Sequence, residues 1–201
     1  MNLKKNLLIT SLLITSSLLF SACTNKYSDQ NLNMNQDTSP TITSTPSISV
    51  SPTKPNTGET LVAVKTKDGE IVLKLFPKEA PNTVANFIKK ADSGFYKDLT
   101  FHRVIAGFMA QGGDPIGTGT GGGSQKSEIN NLPFKRGTIG LARGGNREIS
   151  NDSQFFICFT TEGCQHLTGD YVNFGEVVSG LDVLDKIQQG DKIIDIITQT
   201  K

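Results

Sequence analysis

The residues best placed to do chemistry sit in one stretch, Phe101-His-Arg-Val-Ile-Ala-Gly-Phe-Met-Ala-Gln-Gly-Gly-Asp114. It reads as two short strands meeting at Gly107, with Phe101, Arg103 and Ile105 alternating to one face and Met109 and Gln111 sharing a face on the next strand. A guanidinium cannot shed its charge, so Arg103 must reach water, a carboxylate or a ligand. A strand-edge salt bridge is the ordinary fate of such a residue; recognition of a polar group by a fixed cation is the functional one. His102 has the type of an acid–base catalyst, but period two turns it to the face opposite Arg103, which favours a structural role. Cys158 has no base beside it in sequence, so a nucleophilic thiol is disfavoured. The glycine-rich run Gly117-Thr-Gly-Thr-Gly-Gly-Gly123 has no Lys-Ser/Thr pair at phosphate-loop spacing and no strand-to-helix setting, and is read as a tight turn or loop.

The elements that must position these residues occupy the second part of the chain. Leu61–Thr66 and Glu70–Phe76 flank Asp68-Gly69, a hairpin signal. Pro81–Ala91 reads as a helix, with proline in its first turn, an apolar stripe of Val84, Phe87, Ile88 and Ala91, and Gly94 after it. Further strands are expected at Thr138–Ala142, Gln154–Phe159, Asn173–Val178 and 193–200. A second helix is expected through Leu181, Leu184 and Ile187, with Ser179 before it and Gly190 after. Eight strands and two helices at this spacing argue an antiparallel barrel or sandwich over a βαβ sheet.

The first part of the chain reads as an address. Lys4 and Lys5 precede an apolar run from Leu7 to Phe20, too short for a comfortable membrane span but right for a signal peptide over 1–22. Leu-Phe-Ser-Ala-Cys, residues 19–23, resembles the lipobox of bacterial lipoproteins, although Phe20 holds the place usually taken by Leu. That resemblance implies lipidation at Cys23 and an extracytoplasmic, membrane-anchored protein. Residues 23–58 are rich in Ser, Thr, Asn and Pro, with Pro40, Pro46, Pro52 and Pro55 spaced through them, and are expected to be a disordered tether with a reach of roughly 30 Å. The domain then runs over 59–201.

The whole chain has 20 Lys and Arg against 19 Asp and Glu, a net charge of +1. Loss of Lys4 and Lys5 with the signal peptide leaves −1. No basic stripe exists, which argues against nucleic acid as a partner. Cys158 and Cys164 lie six apart with no further Cys or His at zinc-ligand spacing, so no metal is expected. Export permits a disulfide between them, but Cys158 suits a small strand residue and the unpaired reading is preferred.

Five blocks in order, the stretch 101–114, Gly-Thr-Gly-Thr-Gly-Gly at 117–122, Gly-Thr-Ile-Gly-Leu-Ala at 137–142, Ser-Gln-Phe-Phe-Ile at 153–157 and Asn-Phe-Gly-Glu-Val at 173–177, resemble the cyclophilin-type peptidyl-prolyl cis-trans isomerases. The resemblance covers about residues 59 to 200. It implies a mainly β fold, a closed eight-stranded antiparallel β-barrel capped by two α-helices, with no cofactor. It implies that Arg103 is the catalytic residue and that Phe108, Met109, Phe156 and Leu167 wall a proline pocket. Gln111 would bind the substrate backbone, Ala142 and Arg143 would face or hold the peptide, and Tyr171 would stand at the rim. The substrates implied are proline-containing, unfolded or partly folded polypeptides, and a monomer is expected. The alternative function is a non-catalytic proline-peptide-binding chaperone or scaffold lipoprotein; the presence of Arg103 favours the enzyme. Two departures stand out. The loop 143–152 lacks the proline-asparagine common there. His166 replaces a tryptophan tied to cyclosporin binding, which implies weakened cyclosporin sensitivity.

Overall fold

The computed structural model describes residues 59–199. The expected signal peptide over 1–22, the lipidation expected at Cys23 and the expected tether over 23–58 lie outside the described residues.

The chain enters an antiparallel hairpin of β1 (Thr60–Thr66) and β2 (Gly69–Leu75), in register from Thr60↔Leu75 to Thr66↔Gly69. Gly69 follows the turn with φ +134°, a region that L side chains rarely adopt, so the Asp68-Gly69 signal has a backbone cause. Helix α1 (Pro81–Asp92) follows, with Pro81 in its first turn and Thr83, Val84, Phe87 and Ala91 buried. Its free N–H groups are met from far along the chain. Glu128 accepts from Asn82 N at 3.0 Å and from Thr83 N at 2.8 Å, doing the work of a capping side chain.

Strands β3 (Arg103–Ile105), β4 (Met109–Gly112), β6 (Thr138–Leu141), β8 (Phe155–Cys158), β9 (Val172–Ser179) and β10 (Asp195–Gln199) complete an eight-stranded antiparallel sheet in the order β10-β1-β2-β9-β6-β8-β4-β3. A separate pair, β5 (Ser124–Lys126) with β7 (Ile149–Asn151), carries the loops beside it.

Three expectations are corrected. The sheet is curled but not closed as a barrel, because its end strands β3 and β10 do not pair. Neighbouring segments bridge the gap instead: Ile193 N donates to Leu99 O at 2.7 Å, Phe101 N to Asp191 O at 2.8 Å and Gly190 N to Phe101 O at 2.9 Å. Among the described residues the two-helix cap is not formed as expected. The second expected helix is one turn, α3 (Leu181–Leu184), entered not through Ser179 but through Gly180 at φ +86°. A Cβ there would lie 2.2 Å from Glu70 O. After Leu184 the bonds shorten to i→i+3 (Lys186 N to Val183 O, Ile187 N to Leu184 O), which brings Ile187 inward without extending the helix. A further short helix, α2 (Thr161–Cys164), and a 3-10 turn over Gln165–Leu167 stand where no helix was expected. Third, Cys158 and Cys164 are joined as a disulfide, with Cα atoms 6.2 Å apart. The α2 turn folds Cys164 back over β8, a proximity that sequence spacing does not carry.

The sheet separates two apolar clusters by its period of two. On one side Phe155 and Ile157 join Phe87, Tyr96, Phe101 and Phe174 in the main core under α1. The rings of Phe87 and Phe155 meet edge to face at 5.6 Å, and those of Phe87 and Phe174 at 5.3 Å. On the other side Phe156 and Cys158 join Met109, Phe134, Cys164 and Leu167. This second cluster is the floor of the site.

Candidate active site

Strand β3 begins only at Arg103, so Phe101 and Arg103 do not share a face: Phe101 is fully buried in the main core and Arg103 is exposed. That corrects the simple alternation read from sequence. The register Arg103↔Gln111 sets the two side chains side by side, and Arg103 Nη1 donates to Gln111 Oε1 at 3.1 Å. Among the ion pairs of the described residues none involves Arg103. The strand-edge salt bridge that would have been its ordinary fate is therefore not formed there.

Gln111 is itself held. Its Nε2 donates to Gln154 Oε1 at 2.9 Å, and Gln154 Nε2 donates to Gly121 O at 2.8 Å and Gly119 O at 3.2 Å. Gln154, almost completely buried, thus fixes which amide end Gln111 turns toward Arg103. The glycine-rich loop above it is organised from inside. The buried Asp114 carboxylate accepts from Ile116 N at 2.9 Å and also from Gly119 N. Burial pushes the Asp114 carboxyl up, but these backbone donors outweigh it and leave the group below the usual carboxylate range. The loop's N–H groups face inward to a carboxylate, which agrees with reading it as a tight loop and not a phosphate cradle.

His102 precedes β3 and lies half-buried against Gly119. Both ring nitrogens are shielded from solvent. Desolvation lowers its pKa, against upward pulls from Asp114 and from a hydrogen bond with the Thr100 backbone and with a further downward push from Arg103.

The nine residues singled out in the sequence all line one small cavity of about 90 Å³: Arg103, Phe108, Met109, Gln111, Ala142, Arg143, Phe156, Leu167 and Tyr171. Met109, Phe156 and Leu167 are buried walls. Phe156 stacks on Phe134 at 5.8 Å and meets Tyr171 edge to face at 5.8 Å. Phe134 and Gly140 were not foreseen. A Cβ on Gly140 would stand 2.4 Å from Phe156 Cζ and 2.7 Å from Phe134 Cε1, so the absence of a side chain there seats both rings. The disulfide ties β8 to the turn that carries Leu167, and His166 packs on the outer side of Phe108 at 5.7 Å between rings.

The loop 143–152 is clamped by charge where a proline-asparagine was missing. Arg143 Nη2 donates to Asp170 Oδ2 at 2.5 Å, its Nε donates to Asp170 O at 3.1 Å, and its guanidinium lies over the Tyr171 ring at 4.4 Å. Arg147 Nε sits 3.1 Å from the other oxygen, Asp170 Oδ1.

The lining contains no thiol, imidazole or carboxylate, and its one hydroxyl is the Tyr171 phenol. It can hold a compact apolar ring against a fixed cation and an amide. That combination suits a reaction without bond making or breaking, which needs only a distorted amide to be held better than a planar one.

Comparison with known proteins agrees. Residues 61–199 match the family model described as cyclophilin type peptidyl-prolyl cis-trans isomerase/CLD. The chain belongs to that family. Peptidyl-prolyl cis-trans isomerases of Helicobacter pylori (strain 26695) and Synechococcus elongatus are 49% identical over 140 residues and 45% identical over 141. These alignments cover 67% and 68% of this chain, and 83% and 94% of the two relatives. The crystal structure of a Cryptosporidium parvum cyclophilin-type isomerase superposes with TM-score 0.65 at 32% identity, covering 71% of this chain and 99% of that one. A second structure of that protein, in the presence of the dipeptide Ala-Pro, gives TM-score 0.64 over 70% and 99%. The isomerase thus has a family whose activity matches what its pocket can do.

Proposed function

We propose that this isomerase accelerates X–Pro isomerisation in exported or surface polypeptides and so assists their folding, with Arg103 as the catalytic residue. The observation that carries the reading is Arg103 itself, a cation outside every ion pair of the described residues, on the rim of an apolar cavity. An X–Pro bond isomerises over a barrier of about 18–20 kcal/mol, in tens to hundreds of seconds. Bringing a ~100 s event to ~1 ms needs about five decades, or roughly 7 kcal/mol. As the amide twists, resonance is lost and the prolyl nitrogen regains a lone pair. A guanidinium N–H donates to that lone pair in the twisted state and has nothing to donate to in the planar one, so its contribution falls on the barrier.

Met109, Phe156, Leu167 and Phe108 grip the proline ring, while Gln111, oriented by Gln154, holds the chain beside it. A Cryptosporidium parvum relative has been crystallised with Ala-Pro, which supports a proline peptide as the occupant of this pocket. The lipobox-like end at Cys23 supports a lipid anchor, and the Ser/Thr/Pro-rich run after it supports a tether that holds a monomeric domain off an extracytoplasmic membrane surface. The test is the cis-to-trans relaxation of a short X–Pro peptide in the presence of the protein. Acceleration in proportion to enzyme concentration is expected, and an unchanged relaxation overturns the reading. The mass of the mature N-terminal peptide tests lipidation at Cys23: a diacylated or triacylated cysteine supports it, and an unmodified one refutes it.

A further inference from the structure

The rim of the pocket carries more positive charge than its fold requires. Arg103 and Arg143 line the cavity, and Arg147 reaches the same place through a shared carboxylate. Asp170 gives one oxygen to Arg143 and the other to Arg147, so a single acid serves two guanidiniums. Arg103 has none. Of the two acids in the 143–152 loop, Asp152 pairs with Lys90 at 3.6 Å and accepts from Gly123 N at 2.8 Å, while Glu148 is exposed and enters none of the ion pairs among the described residues. With Asp152 matched by Lys90, the three arginines face only Asp170 and Glu148, three cations to two acids.

The three arginines are not equivalent. Arg143 is spent on the fold: its side chain is only 11% exposed, both its amino groups and its Nε donate to Asp170 or Gly144, and its face lies on Tyr171. Arg147 is 56% exposed, with Nε on Asp170 and Nη2 on Gly169 O, which leaves Nη1 without a partner among the described residues. It is a cation held by one edge and open on the other, two side chains from the pocket wall.

From this geometry we infer that the groove selects X–Pro segments carrying an acidic side chain within two residues of the proline, on the side of the 143–152 loop, and that Arg147 is the residue that sets this preference. The inference rests on the isomerase reading and names its substrate class. An acidic side chain there meets the open edge of Arg147 within the field of Arg103, while a lysine meets two like charges. An exposed charge pair contributes about threefold, so replacing Lys by Glu, which reverses the sign, spans about tenfold. Such pairs are screened once the Debye length falls to a few ångströms, so the preference shrinks with salt.

The experiment compares kcat/KM for peptides that differ only in Glu, Gln or Lys, placed one or two residues to either side of the proline, at about 0.02 M and about 0.5 M salt. At low salt the Glu peptide is expected about threefold above Gln and about tenfold above Lys at one or more of these positions, contracting toward equality at high salt. In Arg147→Glu the order of Glu and Lys reverses. Equal rates for Glu and Lys peptides at every position, or a Glu preference that persists in Arg147→Glu, overturn the inference. Failure to accelerate even the Gln peptide counts against the isomerase reading instead; the Glu-to-Lys ratio is then read from the Kd values of the same peptides, with the same two outcomes deciding it.

Discussion

Replacing Gly140 by alanine tests how the cavity proposed to hold proline is built. The new methyl carbon would stand 2.4 Å and 2.9 Å from two atoms of the Phe156 ring and 2.7 Å from Phe134. All three are well inside van der Waals contact, and the contacts are with stiff rings. Phe134 and Phe156 stack on each other at 5.8 Å, and the main core lies behind the sheet, so the open direction for Phe156 is the cavity of about 90 Å³. Overpacking of this kind costs about 1–3 kcal/mol of stability, or a fall in Tm of about 3–4 °C for each kcal/mol in a domain of this size. The catalytic effect has its own scale. A proline ring brings three methylenes, worth about 2.4 kcal/mol if fully buried, so a ring denied its seat loses up to about 50-fold in kcat/KM. The assay is the peptide isomerisation rate beside a thermal melt. A loss of 10- to 50-fold with a Tm lowered by several degrees is expected, with activity partly restored in Gly140→Ala/Phe156→Leu. A lowered Tm with unchanged kcat/KM would show that the rings move elsewhere and would refute this account of the pocket.

Three further outcomes follow from the structure. His102 has its folded pKa below its unfolded one, so the unfolded chain binds more protons once the pH drops below about 6.5. Its contribution to stability is therefore complete above that value, falls as the pH is lowered and levels off below the folded pKa; a plot of Tm between pH 7 and 5 should be steeper for the wild type than for His102→Gln, and parallel plots contradict it. Reduction of the Cys158–Cys164 disulfide, which closes a separation of six residues, should cost about 2 kcal/mol on chain-entropy grounds, read as a lower Tm with dithiothreitol that Cys158→Ala/Cys164→Ala does not show. Cyclosporin should inhibit weakly, since His166 offers an exposed imidazole on Phe108 where a tryptophan would stand, and nanomolar inhibition would remove that argument.

What could be read from the sequence was what is local or repeated. Period two put Phe155 and Ile157 on one side of the sheet and Phe156 and Cys158 on the other, and Pro81 marked the start of α1. The five blocks hold six of the nine residues that the fold gathers around one cavity, and the resemblance they carry pointed to Arg143, Leu167 and Tyr171 as well. What could not be read was long-range. Glu128 caps α1 from 46 residues away, and no local pattern marks it. Gln154 looks like any polar residue at a strand entrance until its amide is seen between Gln111 and the glycine-rich loop. Gly140 is one of 20 glycines in the chain, and only the two rings against it give it a reason. Asp170 and Arg147 belong to different loops, so the charge clamp that replaces the missing proline-asparagine exists only in three dimensions. The open sheet was misread for a similar reason: the bonds bridging its gap lie in 98–101 and 190–193, segments with too little regular pairing to look like strands.

The central claim is that a fixed cation at position 103 lowers the barrier to amide rotation. The most direct measurement is the isomerisation of one X–Pro peptide by wild type, Arg103→Ala and Arg103→Lys, with peptide Kd measured alongside. Loss of a preorganised donor of this kind costs about 10²–10³ in rate. The account predicts that loss for Arg103→Ala, little recovery in Arg103→Lys, whose point charge lacks the planar fork, and Kd values within a few-fold of wild type. Equal catalysis by wild type and Arg103→Ala would contradict it.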